Sequence, residues 1–107
     1  MLKGMLSGAR PDDATFKKAT NWVRAQMSKR RDPHAHPSHL AAEVLAEADE
    51  KFKLDSFGVE GWATSTQSGV QYLNFGDTYS PTIVVRCTRS GCRVSYAAGG
   101  WGPYAGG

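Results

Sequence analysis

The sequence predicts an α+β domain in which an N-terminal helical hairpin packs on one face of a four-stranded antiparallel sheet. Three observations predict it. Apolar residues recur at helical spacing through residues 12–54. From 58 to 98 the period drops towards two, and Gly, Thr, Val and Tyr become frequent. Both helices precede all of the strands, which is the order of a two-layer sandwich rather than of repeated βαβ units. A chain of 107 residues suits one domain. A content of 40% hydrophobic and 21% charged residues excludes wholesale disorder. Residues 1–11 have no period and read as an irregular arm, and 99–107 form a Gly-rich tail.

The first helix starts at Asp12 or Asp13, since either carboxylate can cap the free amides of a first turn. Phe16, Ala19, Val23 and Met27 fall on one helical face, bordered by Trp22. Lys29, Arg30 and Arg31 occupy the last turn, where cations oppose the negative end of the dipole, and Pro33 ends the helix. After the connector "DPHAHPSH", Ser38 is the expected N-cap of a second helix over 39–53. Leu40, Val44, Ala48 and Phe52 form its stripe, widened by Ala41 and Leu45, with Glu43, Glu47 and Glu50 elsewhere. Four strands follow, at 59–65, 69–75, 82–87 and 92–98. The first is weakened by Gly61. The second alternates Val70, Tyr72 and Asn74 against Gln71, Leu73 and Phe75. The third, "TIVVRC", is rich in β-branched residues. The helical stripes cover one sheet face, and the other is solvated or used for binding.

Charge is segregated along the chain. Residues 1–31 carry eight Lys/Arg against two Asp, and residues 32–60 carry seven acids against two Lys. This predicts a basic helix lying beside an acidic one. The same basic residues, Lys17, Lys18, Arg24, Lys29, Arg30 and Arg31, are the candidates for contacting nucleic-acid phosphates, with Arg86, Arg89 and Arg93 extending the patch. No apolar run approaches the ~20 residues of a membrane span. The first residues are too weakly apolar for a signal-peptide core, so a soluble intracellular protein is expected.

"VVRCTRSGCRVSY" offers two hairpin registers. With "TRSG" as the turn, Cys87 faces Cys92 and Arg86 faces Arg93, and the cysteines come within disulfide range. With a turn at Ser90-Gly91, Cys87 faces Val94 and no bridge forms. Intracellular disulfides are uncommon, so the expectation is two reduced, apolar cysteines. His34, His36 and His39 form H-x-H-x-x-H beside Asp32, a spacing that could hold zinc or nickel. The expectation is instead a polar interhelix loop with no metal, since Pro33 and Pro37 stiffen it.

In "YLNFGDTYSPTIVV", Asn74, Gly76, Asp77 and Pro81 are turn formers. Gly76 supplies a backbone angle that other residues resist, and Asp77 and Thr78 can bond local amides. The stretch is expected to be a shaped corner between strands rather than a reaction centre. Pairing Asp77 with Glu60 as acid and base lacks support, because they lie on different strands and nothing sets their separation. The chain has no phosphate-cradling Gly loop with a Lys, and no Ser-His-Asp pattern in a recognisable context. A non-catalytic protein without cofactor is expected.

The segment from about residue 44 to 101 resembles a group of small proteins carried by phages, plasmids and other mobile elements. The residues that carry the resemblance are Gly58, Val59 and Glu60, then Tyr72, Asn74, Gly76, Asp77, Thr78, Tyr79, Thr82 and Ile83. This Gly-rich tail departs from the group's shorter, more acidic closing segment. The resemblance brings no activity with it and implies only a setting, accessory genes of mobile elements, many of which act on host machinery by binding it. Together with the small size and the lack of a convincing catalytic set, it leads to the expectation of a protein in the bacterial cytoplasm that binds a host protein or ribonucleoprotein complex, as an inhibitor of a bacterial defence system would. Arg86, Arg93, Tyr79, Trp101 and Tyr104 are the candidate contact residues, being of the types that anchor interfaces. A small nucleic-acid-binding protein is the alternative.

Overall fold

The computed structural model describes residues 12–65, 68–76 and 80–97. Two helices, α1 (Asp13–Lys29) and α2 (Pro37–Phe52), are followed by β1 (Gly58–Ser65), β2 (Ser68–Asn74), β3 (Thr82–Thr88) and β4 (Gly91–Ala97). The strands form one antiparallel sheet in the order β1-β2-β3-β4, each pairing with its neighbour in sequence. The α+β layering expected from the sequence is the one observed.

The helical stripes carry the core. Phe16, Ala19, Val23 and Met27 of α1 are buried, as are Ala41, Val44, Leu45 and Ala48 of α2. They meet Leu73, Phe75, Ile83, Val85, Cys87 and Val94 from the sheet, with Leu54 sealing the α2–β1 connection. Leu40, Phe52 and Trp22 pack at the margin of this cluster. The Trp22 and Phe52 rings meet edge to face at 6.1 Å, tying the helices together.

Local chemistry sets the helix ends. Asp12 caps α1, its carboxylate accepting the Thr15 N–H at 2.9 Å. The helix closes at Lys29 with Arg30 as C-cap, so Arg31 lies beyond it rather than in its last turn. The start of α2 also departs from expectation, because its N-cap is His36 and not Ser38. Pro37 has no N–H to leave unsatisfied and a φ suited to the first helical position. That shifts the cap one residue upstream of the proline, where His36 Nδ1 accepts the Ser38 N–H at 3.2 Å. At the other end Lys53 takes a left-handed conformation (φ 53°), and Leu54 N–H bonds back to Asp49 at 3.0 Å.

The β3–β4 hairpin adopts the register with Cys87 opposite Cys92 and Arg86 opposite Arg93. The expectation of reduced cysteines is corrected here. Cys87 and Cys92 are joined by a disulfide, with their Cα atoms 4.0 Å apart. The two-residue loop Arg89-Ser90 sets this register by pairing Thr88 with Gly91, which brings the sulfurs across from one another.

One contact ties the start of α1 to the last strand. The Tyr96 hydroxyl donates to Asp13 Oδ1. That bond, with help from Lys17, holds the Asp13 carboxyl below its ordinary value of 3.8, while burial and the carboxylate push the Tyr96 phenol up to about 12. A depressed carboxylate contributes stability that is present at neutral pH and lost as pH falls through its folded value. A raised phenol contributes stability that is present below pH ~10 and lost as pH rises towards 12. Tyr96→Phe removes the donor. It is expected to flatten both limbs of a stability–pH curve read by urea denaturation, the acid limb only in part, because Lys17 still lowers Asp13 and the Thr15 contacts still lower Asp12. Limbs as steep as in the wild type would mean that this contact does not form.

Candidate functional site

The sheet has one face under the helices and one face turned away from them. The ladder register assigns Glu60 of β1, Val70, Tyr72 and Asn74 of β2, Thr82, Val84 and Arg86 of β3, and Arg93 and Ser95 of β4 to the second face. Its centre is not open to solvent, contrary to the simplest expectation. Val84 is 2% and Val70 5% exposed, although neither belongs to the core cluster under the helices. The register sets Val84 between Tyr72 and Ser95 across the ladders and between Thr82 and Arg86 along its own strand. On the described strands these two shielded valines are flanked by a rim of polar and charged residues.

One side of that rim is a hydrogen-bonded unit built from the motif residues. Glu60 accepts from Asn74 Nδ2 at 2.6 Å and from the Tyr72 hydroxyl at 3.3 Å. Asn74 Oδ1 in turn accepts the Gly76 N–H at 2.8 Å, and the Asn74 carbonyl accepts the Phe57 N–H at 2.7 Å. The Thr82 hydroxyl, buried, donates to the Leu73 carbonyl at 2.6 Å. Gly76 has φ +88°, and a Cβ there would lie 2.8 Å from the Phe57 ring. Glycine thus lets the chain turn and also leaves room for Phe57, which is 78% exposed. Sequence reasoning missed this assembly. A plain fold-back pairing Ser65 with Ser68 would have set Glu60 against Leu73; the irregularity between Ala63 and Ser65 shifts the register by one residue and brings Glu60 to Tyr72, which no sequence period signals.

Gly61 has a separate role. It faces Gln71 across the β1–β2 ladder, and a Cβ on it would collide with the Val70 carbonyl oxygen and the Gln71 side chain. Gly61→Ala is expected to cost about 1 kcal/mol in chemical denaturation, the low end for overpacking, because β1 is an edge strand that can give way. An unchanged midpoint would mean that β1 sits farther from β2 than described.

The opposite side of the rim holds Arg86, half-buried, directly across from Arg93, exposed. The other contact candidates, Tyr79, Trp101 and Tyr104, lie outside the described residues, as do Asp77 and Thr78.

The six basic residues proposed for phosphates do not form one row. At helical spacing Lys18 and Lys29 point away from the core face, while Lys17 and Arg24 share the flank that meets β4. Lys17 pairs with Asp13 at 3.1 Å within the helix. Arg30 makes a two-pronged pair with Glu47 of α2, both contacts at 2.8 Å. That pair holds the Glu47 carboxyl below its ordinary range. It realises the expected attraction between a basic and an acidic helix. Arg24 and Arg31 instead reach the β3–β4 hairpin, donating to the Val94 carbonyl at 3.0 Å and the Ser90 carbonyl at 2.9 Å.

The histidines are also dispersed in role. His36 caps α2, and the His34 N–H donates to the Asp32 carboxylate at 2.8 Å. Among the described residues no group of three or more His, Cys, Asp or Glu is arranged to hold a metal ion. No described helix is long and apolar enough to cross a membrane.

Compared with protein-family models, with curated proteins and with solved structures, the chain matches none of them.

Proposed function

We propose that this chain is a non-catalytic accessory protein of a phage or mobile element that docks on a host macromolecule through the rim of the sheet face turned away from α1 and α2. The observation that carries the reading is the make-up of that face. Arg86 and Arg93 stand side by side on one flank, a Glu60–Tyr72–Asn74 unit braces the other, and two valines fill the centre. Arginine is among the residue types that anchor interfaces, and Arg93 is exposed on this flank. A side-chain network that is already made leaves less to order on binding. The resemblance of residues 44–101 to mobile-element proteins supports a bacterial host, with a defence complex as the target, while the Cys87–Cys92 disulfide is of a kind uncommon in a reducing cytoplasm.

The test is affinity capture from a bacterial host expressing the tagged protein, run beside Arg86→Glu/Arg93→Glu. The expected result is a specific partner held by the wild type and lost by the variant, with both proteins melting normally. A partner set that the double variant leaves unchanged, or no specific partner at all, overturns the reading.

A further inference from the structure

Two pairs of arginines, distant from each other in sequence, line two hollows on either side of the disulfide hairpin. A cleft of about 480 Å³ between α1, the start of α2 and β4 is lined by Arg24 and Arg31 together with Ser28 and Ser90. A more open hollow of about 570 Å³ on the other side of the hairpin is lined by Arg86 and Arg93 together with Ser68 and Thr88. The two hollows share Ser90, Gly91 and Cys92 as a common wall, and Arg89 stands exposed at the tip between them. Neither hollow has an Asp or Glu in its lining. The described partners of Arg24 and Arg31 are an amide oxygen and backbone carbonyls, which orient the guanidinium groups without neutralising them. Lys17 and Arg30, by contrast, are paired with carboxylates, at Asp13 and Glu47.

From this arrangement we infer that the hairpin end is a binding surface for the phosphodiester backbone of a nucleic acid. Guanidinium groups present paired N–H donors that match phosphate oxygens. Flanking serine and threonine hydroxyls add neutral donors of the kind common at phosphate contacts. Two hollows divided by a narrow ribbon suit a chain of repeated anions better than one compact ligand. The bound segment would cross the hairpin tip, with Arg24 and Arg31 on one side and Arg93 on the other, and Arg89 between. This inference rests on the docking face proposed above and names its partner. It also moves the contact from the outer face of α1 to the hairpin.

Fluorescence anisotropy with labelled single-stranded DNA, single-stranded RNA and duplex DNA tests it. At least one is expected to bind at 50 mM salt. With four phosphate contacts, affinity should fall roughly 50- to 150-fold on going to 200 mM. Arg89→Glu/Arg93→Glu, at two exposed positions, is expected to weaken binding about tenfold or more and to reduce the salt slope by about 2. Arg24→Gln/Arg31→Gln should also reduce the slope. Lys18→Glu/Lys29→Glu makes the same change in net charge on the outer face of α1 and should leave affinity within about twofold. No binding by any of the three at 50 mM salt overturns the inference, and so does equal weakening by the hairpin and outer-face variants. The docking face fails separately: a protein partner that depends on Arg86 and Arg93, without oligonucleotide binding, retains that reading and discards this one.

Discussion

Phe16→Ala is expected to destabilise the fold by about 3–5 kcal/mol, the largest single effect foreseen for this chain. Phe16 has no exposed surface. Its ring meets Phe75 edge to face at 5.7 Å and Tyr96 at 6.2 Å. Phe75 follows β2 and Tyr96 belongs to β4, so this one side chain from α1 reaches towards both sides of the sheet. Truncation loses the transfer energy of the ring and also leaves a cavity between two layers that cannot close independently. Each aromatic contact adds roughly 0.5–1.5 kcal/mol beyond the area buried. Domains of this size are stable by only about 5–15 kcal/mol, so the variant should be near the limit of folding. Urea denaturation checks it: the midpoint should fall sharply while the slope stays the same. A loss below about 1 kcal/mol would mean that α1 does not seat on the sheet through Phe16.

The elements were legible in the sequence where burial repeats with a fixed period. The stripe of Phe16, Ala19, Val23 and Met27 and that of Ala41, Val44, Leu45 and Ala48 are the faces found buried. The alternation of β2 put Leu73 under the helices and Tyr72 and Asn74 on the far side. Periodicity says nothing about what happens once a face is fixed. It separates Val84 from Ile83 and Val85 but cannot say that Val84 is shielded as well, because shielding depends on residues outside its own strand. Capping likewise depends on competition between adjacent residues. Ser38 is a good cap in isolation, but Pro37 shifts the first turn and makes His36 the residue whose side chain meets a free amide.

The candidate site was legible in part. Arg86 and Arg93 could be paired once a hairpin register was chosen. The grouping of Arg24 and Arg31 with that hairpin could not be foreseen, since the residues joined are 59 and 70 positions apart and no local pattern links them. Charge counting treated the basic residues of α1 as one patch. In three dimensions Arg30 is drawn to Glu47, Lys17 to Asp13, and the other two arginines to backbone carbonyls. What decides their fate is which flank of the helix they occupy.

Opening the disulfide is expected to have the second largest effect on stability. Cys87 and Cys92 are five positions apart, so the bond closes a loop of only a few residues. The chain-entropy account then assigns it about 2 kcal/mol, near the lower end for disulfides. Cys87 is almost fully buried at 2% exposure, and Val85 and Val94 beside it belong to the same core cluster. Reduction therefore leaves two thiols in a packed setting and should loosen the hairpin without unfolding the sheet. For a domain near this size each kcal/mol moves the melting temperature by roughly 4–8 °C, so a strong reductant should lower it by roughly 8–16 °C. Cys87→Ala/Cys92→Ala should show a fall of similar size and no response to reductant. The consequence reaches the arginines, because Arg86 and Arg93 adjoin the bridged residues and Arg89 lies in the turn it closes. A reduced hairpin should hold these three groups in a wider range of positions. Any affinity that depends on them should weaken on reduction, whereas the double alanine variant should bind weakly with or without reductant. A melting temperature indifferent to reductant in the wild type, with free thiols absent before treatment and present after it, would show that the register is held by the Arg89-Ser90 turn and strand pairing alone.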